Sequence, residues 1–228
     1  MSGQGLIPLQ RHSCLLFDLD GTLLDTALDL IAALNAVRAS HGLSAMDPQP
    51  LRRLVSRGGR RLLQEGFPEA SEATIDALLP EFLRSYAEGI ADHTRAFEDV
   101  EAFLDRLDAH QIAWGIVTNK PIGLTRQLLN RLGWQDRTSV VIGGDSLVQR
   151  KPHPAPLLHA LMELGGTPAQ AWMIGDDARD IEAGQAAGCG TIVAGWGYLD
   201  EPDAVASWGA DHICWTPQAL AERFALPR

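Results

Sequence analysis

The spacing of apolar positions changes character along the chain. Cys14-Leu15-Leu16-Phe17 is an unbroken apolar run stopped by Asp18 and, three residues on, by Gly21, which is the pattern of a short buried strand. From Thr26 the period becomes helical, with Leu30, Ile31, Leu34 and Val37 on one face before Gly42. Asp47-Pro48 and Pro50 punctuate the chain, and a short helical segment is predicted over Leu51 to Val55. A longer helix follows over about Ala73 to Ile90, expected to be bent or interrupted at Pro80. Between Thr26 and Arg95 there is no strand signal.

Beyond residue 96 strands and helices alternate. A helical stripe at Val100, Phe103, Leu104 and Leu107 precedes a β-branched run, Ile112 to Val117, that stops at Thr118-Asn119-Lys120-Pro121. Then come a helix over Leu124 to Leu132 closed by Gly133, a strand at Val140 to Ile142 and a helix over Pro156 to Leu164. A strand at Ala171 to Ile174, a helix over Ile181 to Ala187 and strands at Thr191 to Ala194 and His212 to Cys214 follow, and Thr216-Pro217 opens the last helix. Such alternation predicts an α/β fold, a Rossmann-like parallel sheet with helices on both faces. The helical block is then an insertion: residues 1–25 and 96–228 form the core domain, and 26–95 a small helical domain inserted in it.

Composition narrows the partners. With 29 acidic residues against 19 basic ones and no Lys/Arg run, nucleic acid and anionic membrane are poor partners. An acidic chain must instead hold any anionic ligand with local positive charge. Cys14, Cys189 and Cys214 are odd in number and lack CxxC spacing, which suggests a reducing compartment and buried structural thiols. The opening ten residues hold no basic region followed by a long apolar segment, and no later run is long enough to span a bilayer. A cytoplasmic protein is expected, with a small-molecule partner, as monomer or homodimer.

In open parallel sheets ligands collect at the carboxyl ends of the strands. Those ends carry Asp18 and Asp20, then Thr118 and Asn119, then Gly175-Asp176-Asp177 with Asp180; Lys151-Pro152 comes before the last of these strands, between a loop and the proline-started helix that precedes it. Taken singly, each residue fits a cap, a turn or a solvated loop. Together they form an inventory for moving a phosphoryl group with a divalent ion. Magnesium prefers octahedral oxygen coordination, and Asp18, the Asp20 carbonyl and Asp176 can supply three ligands. Lys151 can cancel charge, the Thr118 hydroxyl can bind phosphoryl oxygens, and Asp20 can transfer protons.

The runs Phe17-Asp18-Leu19-Asp20-Gly21-Thr22-Leu23, Thr118-Asn119-Lys120, Lys151-Pro152 and Gly175-Asp176-Asp177-Ala178-Arg179-Asp180 resemble, in order, the four signature motifs of haloacid-dehalogenase-superfamily phosphatases. The resemblance implies an enzyme with Asp18 as nucleophile, Asp20 as acid and base, Thr118 on phosphate, Lys151 balancing charge and Asp176 on magnesium. Asp180 matches a position that supports the metal from behind; Asp177, grouped with it, has no distinct role. The insertion resembles the helical cap of the subgroup that includes phosphoglycolate phosphatase, with hinge crossings at Asp25-Thr26 and Thr94-Arg95. The implied substrate is 2-phosphoglycolate, with N-acetylmuramic acid 6-phosphate an alternative. A phosphomutase or a 2-haloacid dehalogenase would share the nucleophile, although the dehalogenase needs neither Asp20 nor a metal. A phosphoacceptor signalling domain uses similar residues but has no helical insertion.

For the non-phosphate part of the substrate the candidate reader is Ser56-Arg57-Gly58-Gly59, where Gly58 permits close approach and Arg57 forks onto a carboxylate. A surface turn with solvated arginines is the competing reading. His93 beside the hinge, Arg179 inside the fourth motif, and Trp196 with Tyr198 after the fifth strand are further residues that could reach the ligand.

Overall fold

The computed structural model describes residues 6–10, 12–138 and 140–225; the outermost residues assigned to the core, 1–5 and 226–228, lie outside it. The described chain begins with β1 (Ile7–Pro8), β2 (Cys14–Phe17) and β3 (Leu24–Asp25). Four helices follow: α1 (Ala27–Ser40), α2 (Pro48–Leu51), α3 (Gly59–Gly66) and α4 (Glu72–Glu88), with a 3-10 turn over Arg52–Arg57 between α2 and α3. The remainder alternates as β4 (Arg95–Ala96), α5 (Val100–Ala109), β5 (Ala113–Val117), α6 (Ile122–Arg131), β6 (Val141–Ile142), α7 (Ala155–Leu164), β7 (Ala171–Gly175) and α8 (Ala178–Ala187). It closes with β8 (Gly190–Ala194), β9 (His212–Cys214), α9 (Pro217–Arg223) and β10 (Phe224–Ala225).

Six strands pair in parallel in the order β6-β5-β2-β7-β8-β9. The chain winds from β2 outward to β6, then returns to the other side of β2 for β7. That reversal opens a crevice at the carboxyl ends of the central strands. β2 is buried on both faces because its side chains alternate between two cores. Leu15 and Phe17 join the cluster of Phe103, Leu107 and Leu128, and Cys14 and Leu16 join Leu157, Ala160 and Ala183. Phe17 meets Phe103 and Trp114 edge-on, with centroids 6.3 and 6.1 Å apart. All three cysteines are buried and free, as their spacing predicts.

The structure departs from the sequence reading in three places. α4 runs through Pro80 as one helix, because its buried stripe of Ile75, Leu78, Phe82 and Tyr86 outweighs the one hydrogen bond that Pro80 cannot make. α8 starts at Ala178 rather than Ile181, since Asp177 and Asp180 form a capping box that satisfies its first turn. Both crossings into the helical block are pinned by a two-residue antiparallel ribbon, β3 on β4, pairing Leu24 with Ala96 and Asp25 with Arg95. Strands this short leave no periodicity to read.

Asp29 reinforces the crossing. It is buried in the first turn of α1 and accepts the His93 and Thr94 backbone N–H groups at 2.8 and 2.9 Å and the Thr94 hydroxyl at 2.6 Å. Removing it leaves those buried donors unpaired. Asp29→Ala is expected to destabilise the fold by about 2–3 kcal/mol in urea unfolding; an unchanged midpoint would show that the clamp carries no stability.

Candidate active site

The site starts where β2 runs out. The Asp18 N–H donates to the Ile174 carbonyl of β7 at 2.9 Å, which fixes the end of the strand. The chain then turns at Gly21, whose φ of +84° is left-handed and whose missing Cβ leaves room for the Asp176 carboxylate. An isolated bridge between Asp20 and Leu24 uses the Leu19 carbonyl and the Gly21 N–H, so the carbonyl of Asp20 itself stays outside it.

Five acids gather here, and their cations divide them. Asp20 is engaged through both oxygens by the Lys120 ammonium at 2.8 and 3.0 Å. Asp177 is engaged by Arg179 at 2.7 and 3.0 Å and caps α8. Asp18, Asp176 and Asp180 share a single cation, Lys151, which lies 3.0 Å from Asp18 and 2.6 Å from Asp180 and donates to the Val117 carbonyl at 2.5 Å. Formally two negative charges remain in a buried space. The strain shows in the acids: burial and the neighbouring Asp18 push Asp176 well above the usual carboxylate range, and burial drives Asp180 upward against the pull of Lys151. Burial alone would lower the ammonium of Lys151, but Asp18 and Asp180 raise it on balance.

Two negative charges on oxygen ligands are what one divalent cation neutralises. One carboxylate oxygen from each of Asp18, Asp176 and Asp180 lies within 4.8 Å of the others. Asp18 Oδ1 is buried and meets the Lys151 ammonium at 3.0 Å, with no other hydrogen-bond partner among the described residues. The donor set therefore fits a hard metal ion. The sequence reading placed Asp180 behind the metal; here one of its oxygens holds Lys151 and the other accepts the Asp177 N–H at 3.2 Å.

The helical insertion covers these acids. The 3-10 turn ends at Gly58, whose φ of +84° admits glycine best, and lays Ser56 on the site. Its hydroxyl donates to Asp176 Oδ2 at 2.6 Å, and its carbonyl accepts from Arg179 at 2.6 Å. Thr22 and the Tyr198 N–H complete the shell of Asp176 at 3.2 and 2.8 Å. A cavity of about 420 Å³ lies between insertion and sheet, lined by Asp18, Asp20, Arg57, Gly58, Tyr86, Thr118, Asn119, Lys120, Arg150, Lys151, Asp177, Arg179 and Asp180, among others. A larger hollow of about 790 Å³ borders α6 and α7 and holds none of the motif residues.

Within the cavity Thr118 is buried and its hydroxyl oxygen accepts the Lys120 N–H at 3.2 Å, leaving its proton to donate. Asn119 donates to the Lys151 carbonyl at 2.9 Å, and its own carbonyl oxygen is buried without a partner among the described residues. Arg57 lies at the rim, 3.4 Å from Asp200. His93 is exposed and outside the lining. Trp196 donates to the Thr22 carbonyl at 3.0 Å, and the Tyr198 hydroxyl meets Asp25 at 2.6 Å, so both brace the turn below the site.

Sequence reasoning gave no individual role to Lys120 or Tyr86, and placed Ser56 in the loop that reads the substrate rather than on Asp176. Lys120 had a signal, being two residues after Thr118 in the same loop. Tyr86 had none, since its partner lies on a distant element.

The chain belongs to the haloacid dehalogenase-like hydrolase family, whose sequence model matches residues 15–194. It is 45% identical to a phosphoglycolate phosphatase of Xylella fastidiosa, over 93% of each chain. It is 39% identical to an N-acetylmuramic acid 6-phosphate phosphatase of Pseudomonas aeruginosa, over 93% of this chain and 94% of that one. The crystal structure of a predicted phosphoglycolate phosphatase from Haemophilus somnus superposes with a TM-score of 0.82 at 26% identity, covering 93% of this chain and 98% of that chain.

A divalent ion such as Mg²⁺ is expected to raise the melting temperature, because binding the folded state alone adds about 2.7 kcal/mol at a hundredfold excess over Kd. Asp176→Asn, which preserves shape, should lose that increment. Equal stabilisation of both proteins would remove Asp176 from the metal site.

Proposed function

We propose that this enzyme is a magnesium-dependent phosphatase that hydrolyses a small phosphate monoester, 2-phosphoglycolate as the first choice, through an aspartyl phosphate on Asp18. What supports this reading is the Asp18 carboxylate at the cavity, buried with Oδ1 3.0 Å from the Lys151 ammonium, in a group of three acids that keeps two negative charges in excess. When bound, the ion supplies the charge that lets a phosphate dianion approach a carboxylate.

The chain's own groups do the rest. Asp18 attacks phosphorus, while Lys151, the Thr118 hydroxyl and backbone N–H groups hold the phosphoryl oxygens in line. Asp20, positioned by Lys120, in its protonated form passes its proton to the leaving oxygen and, as the carboxylate so formed, takes one from the water that cleaves the aspartyl phosphate. Residues 26–95 act as a cap domain, closing the Ser56-Arg57-Gly58 turn over the acids to exclude water before the leaving group departs. Asp180 and Asp177 support Lys151 and the start of α8. Arg57 draws anionic substrate to the rim. We place the enzyme in the cytoplasm; no helix of the described residues is long and apolar enough to cross a membrane.

A sugar phosphate such as N-acetylmuramic acid 6-phosphate is the second reading, favoured by the 39% identical relative of that name.

Release of phosphate from p-nitrophenyl phosphate, abolished by EDTA and restored by Mg²⁺, is the expected result, and absence of metal-dependent turnover of any phosphate ester would defeat the reading. Asp18→Asn should remove turnover by several orders of magnitude, on the order of 10⁴ or more, with the melting temperature largely kept. An active, folded Asp18→Asn enzyme would take the nucleophile role from Asp18.

A further inference from the structure

We propose that Tyr86 and Lys120 form the subsite that reads the leaving group, taking a carboxylate one carbon removed from the ester oxygen; this rests on the phosphatase reading above. Tyr86 lies in the last turn of α4, on the same buried stripe as Ile75, Leu78 and Phe82. Those three residues need only be covered. Tyr86 adds a buried hydroxyl whose polar neighbour among the described residues is the Lys120 ammonium. Packing alone would be served by a phenylalanine, as at Phe82 one turn earlier, which brings no buried hydroxyl to satisfy. An ammonium can donate to that hydroxyl but cannot take its proton, so the O–H is left to donate to a ligand in the cavity.

The neighbour of that hydroxyl is a cation. The Lys120 ammonium lies 4.5 Å from the centroid of the Tyr86 ring, and both side chains line the cavity together with Asp20. Asp20 occupies Lys120 at 2.8 and 3.0 Å, and an ammonium carries three N–H donors. Burial pushes the Tyr86 hydroxyl up to about 12, so it stays a donor at neutral pH.

The chemistry fixes where the leaving group must lie. If Asp20 protonates the ester oxygen, that oxygen comes within hydrogen-bond reach of Asp20. A carboxylate one carbon further on then falls beside whatever flanks Asp20, and Lys120 and Tyr86 flank it. Most other cations around the cavity hold acids of their own, as Lys120 does, but none of those acids is Asp20: Arg60 holds Glu72 and Asp76, Arg57 Asp200, Arg179 Asp177 and Lys151 Asp18 and Asp180. Arg150 remains at the exposed edge. Because Tyr86 belongs to the insertion and Lys120 to the loop after β5, the subsite is complete only when the two meet. Reading the leaving group and closing the site are then one event.

The test compares 2-phosphoglycolate with 2-hydroxyethyl phosphate, in which a neutral hydroxymethyl group replaces the carboxylate, for wild type and Tyr86→Phe. The readout is the ratio of the two kcat/KM values. Wild type is expected to prefer the carboxylate ester, and Tyr86→Phe to cut the ratio about tenfold. A ratio that stays within about twofold in Tyr86→Phe overturns the subsite. So does a wild-type enzyme that hydrolyses both esters equally well, a result that leaves the phosphatase reading standing. If neither these esters nor p-nitrophenyl phosphate is turned over, the phosphatase reading fails and takes the subsite with it.

Discussion

Everything at this site is arranged around one buried ammonium. Lys151 is enclosed by Asp18, Asp180 and the Val117 carbonyl, so three elements meet at its tip: the ends of β2 and β5 and the first turn of α8. Removing a charge from water is costly unless partners surround it, and deleting one partner strands the others. Lys151 therefore constrains its neighbours as much as they stabilise it. Asp180 meets the demand with both oxygens, one on Lys151 and one capping its own helix. The helix start, the lysine and the proposed nucleophile are thus held as a unit. What the unit does not neutralise is left for a cation.

A second charged layer joins the insertion to the sheet. Arg52 reaches Asp25 at 2.7 Å and stacks on Tyr198, Arg57 reaches Asp200, and Arg179 grips the Ser56 carbonyl. Several of these pairs are partly exposed, where an ion pair contributes roughly 0–1 kcal/mol each. Such a seam has enough polar contacts to define one position of the insertion on the sheet and too little energy to lock it, which suits the closure proposed above. Asp29 and the β3–β4 ribbon supply the stiffness at the crossings that the seam lacks.

Much of this was legible in the chain because the relevant signals are local. Buried strands of four or five apolar residues announce their ends by the polar residue that stops them, and parallel topology brings those ends together; Asp18, Thr118 and Asp176 could be found in that way, and Lys151 by its place in the loop before a proline-started helix. The order of the four motifs then fixed the family. What escaped depends on pairing across the fold. Lys120 is 100 residues from Asp20, and Ser56 is 120 from Asp176. Tyr86 looks in sequence like one more apolar position on a helix face; Phe82 lines the same cavity, and what sets Tyr86 apart is its hydroxyl and its contact with Lys120. The ribbon at the crossings was missed for a different reason, since two residues per strand carry no period.

The central claim is that Asp18, set beside Lys151 and a metal-sized excess of negative charge, carries the phosphoryl group during turnover. Rapid acid quench of the working enzyme with Mg²⁺ and substrate, followed by peptide mapping, tests it most directly. The account predicts an acid-stable, base-labile phosphoryl group on the peptide containing Asp18, absent when metal is withheld. Phosphoryl found on another residue, or turnover with no phosphoenzyme in single-turnover experiments, would contradict it.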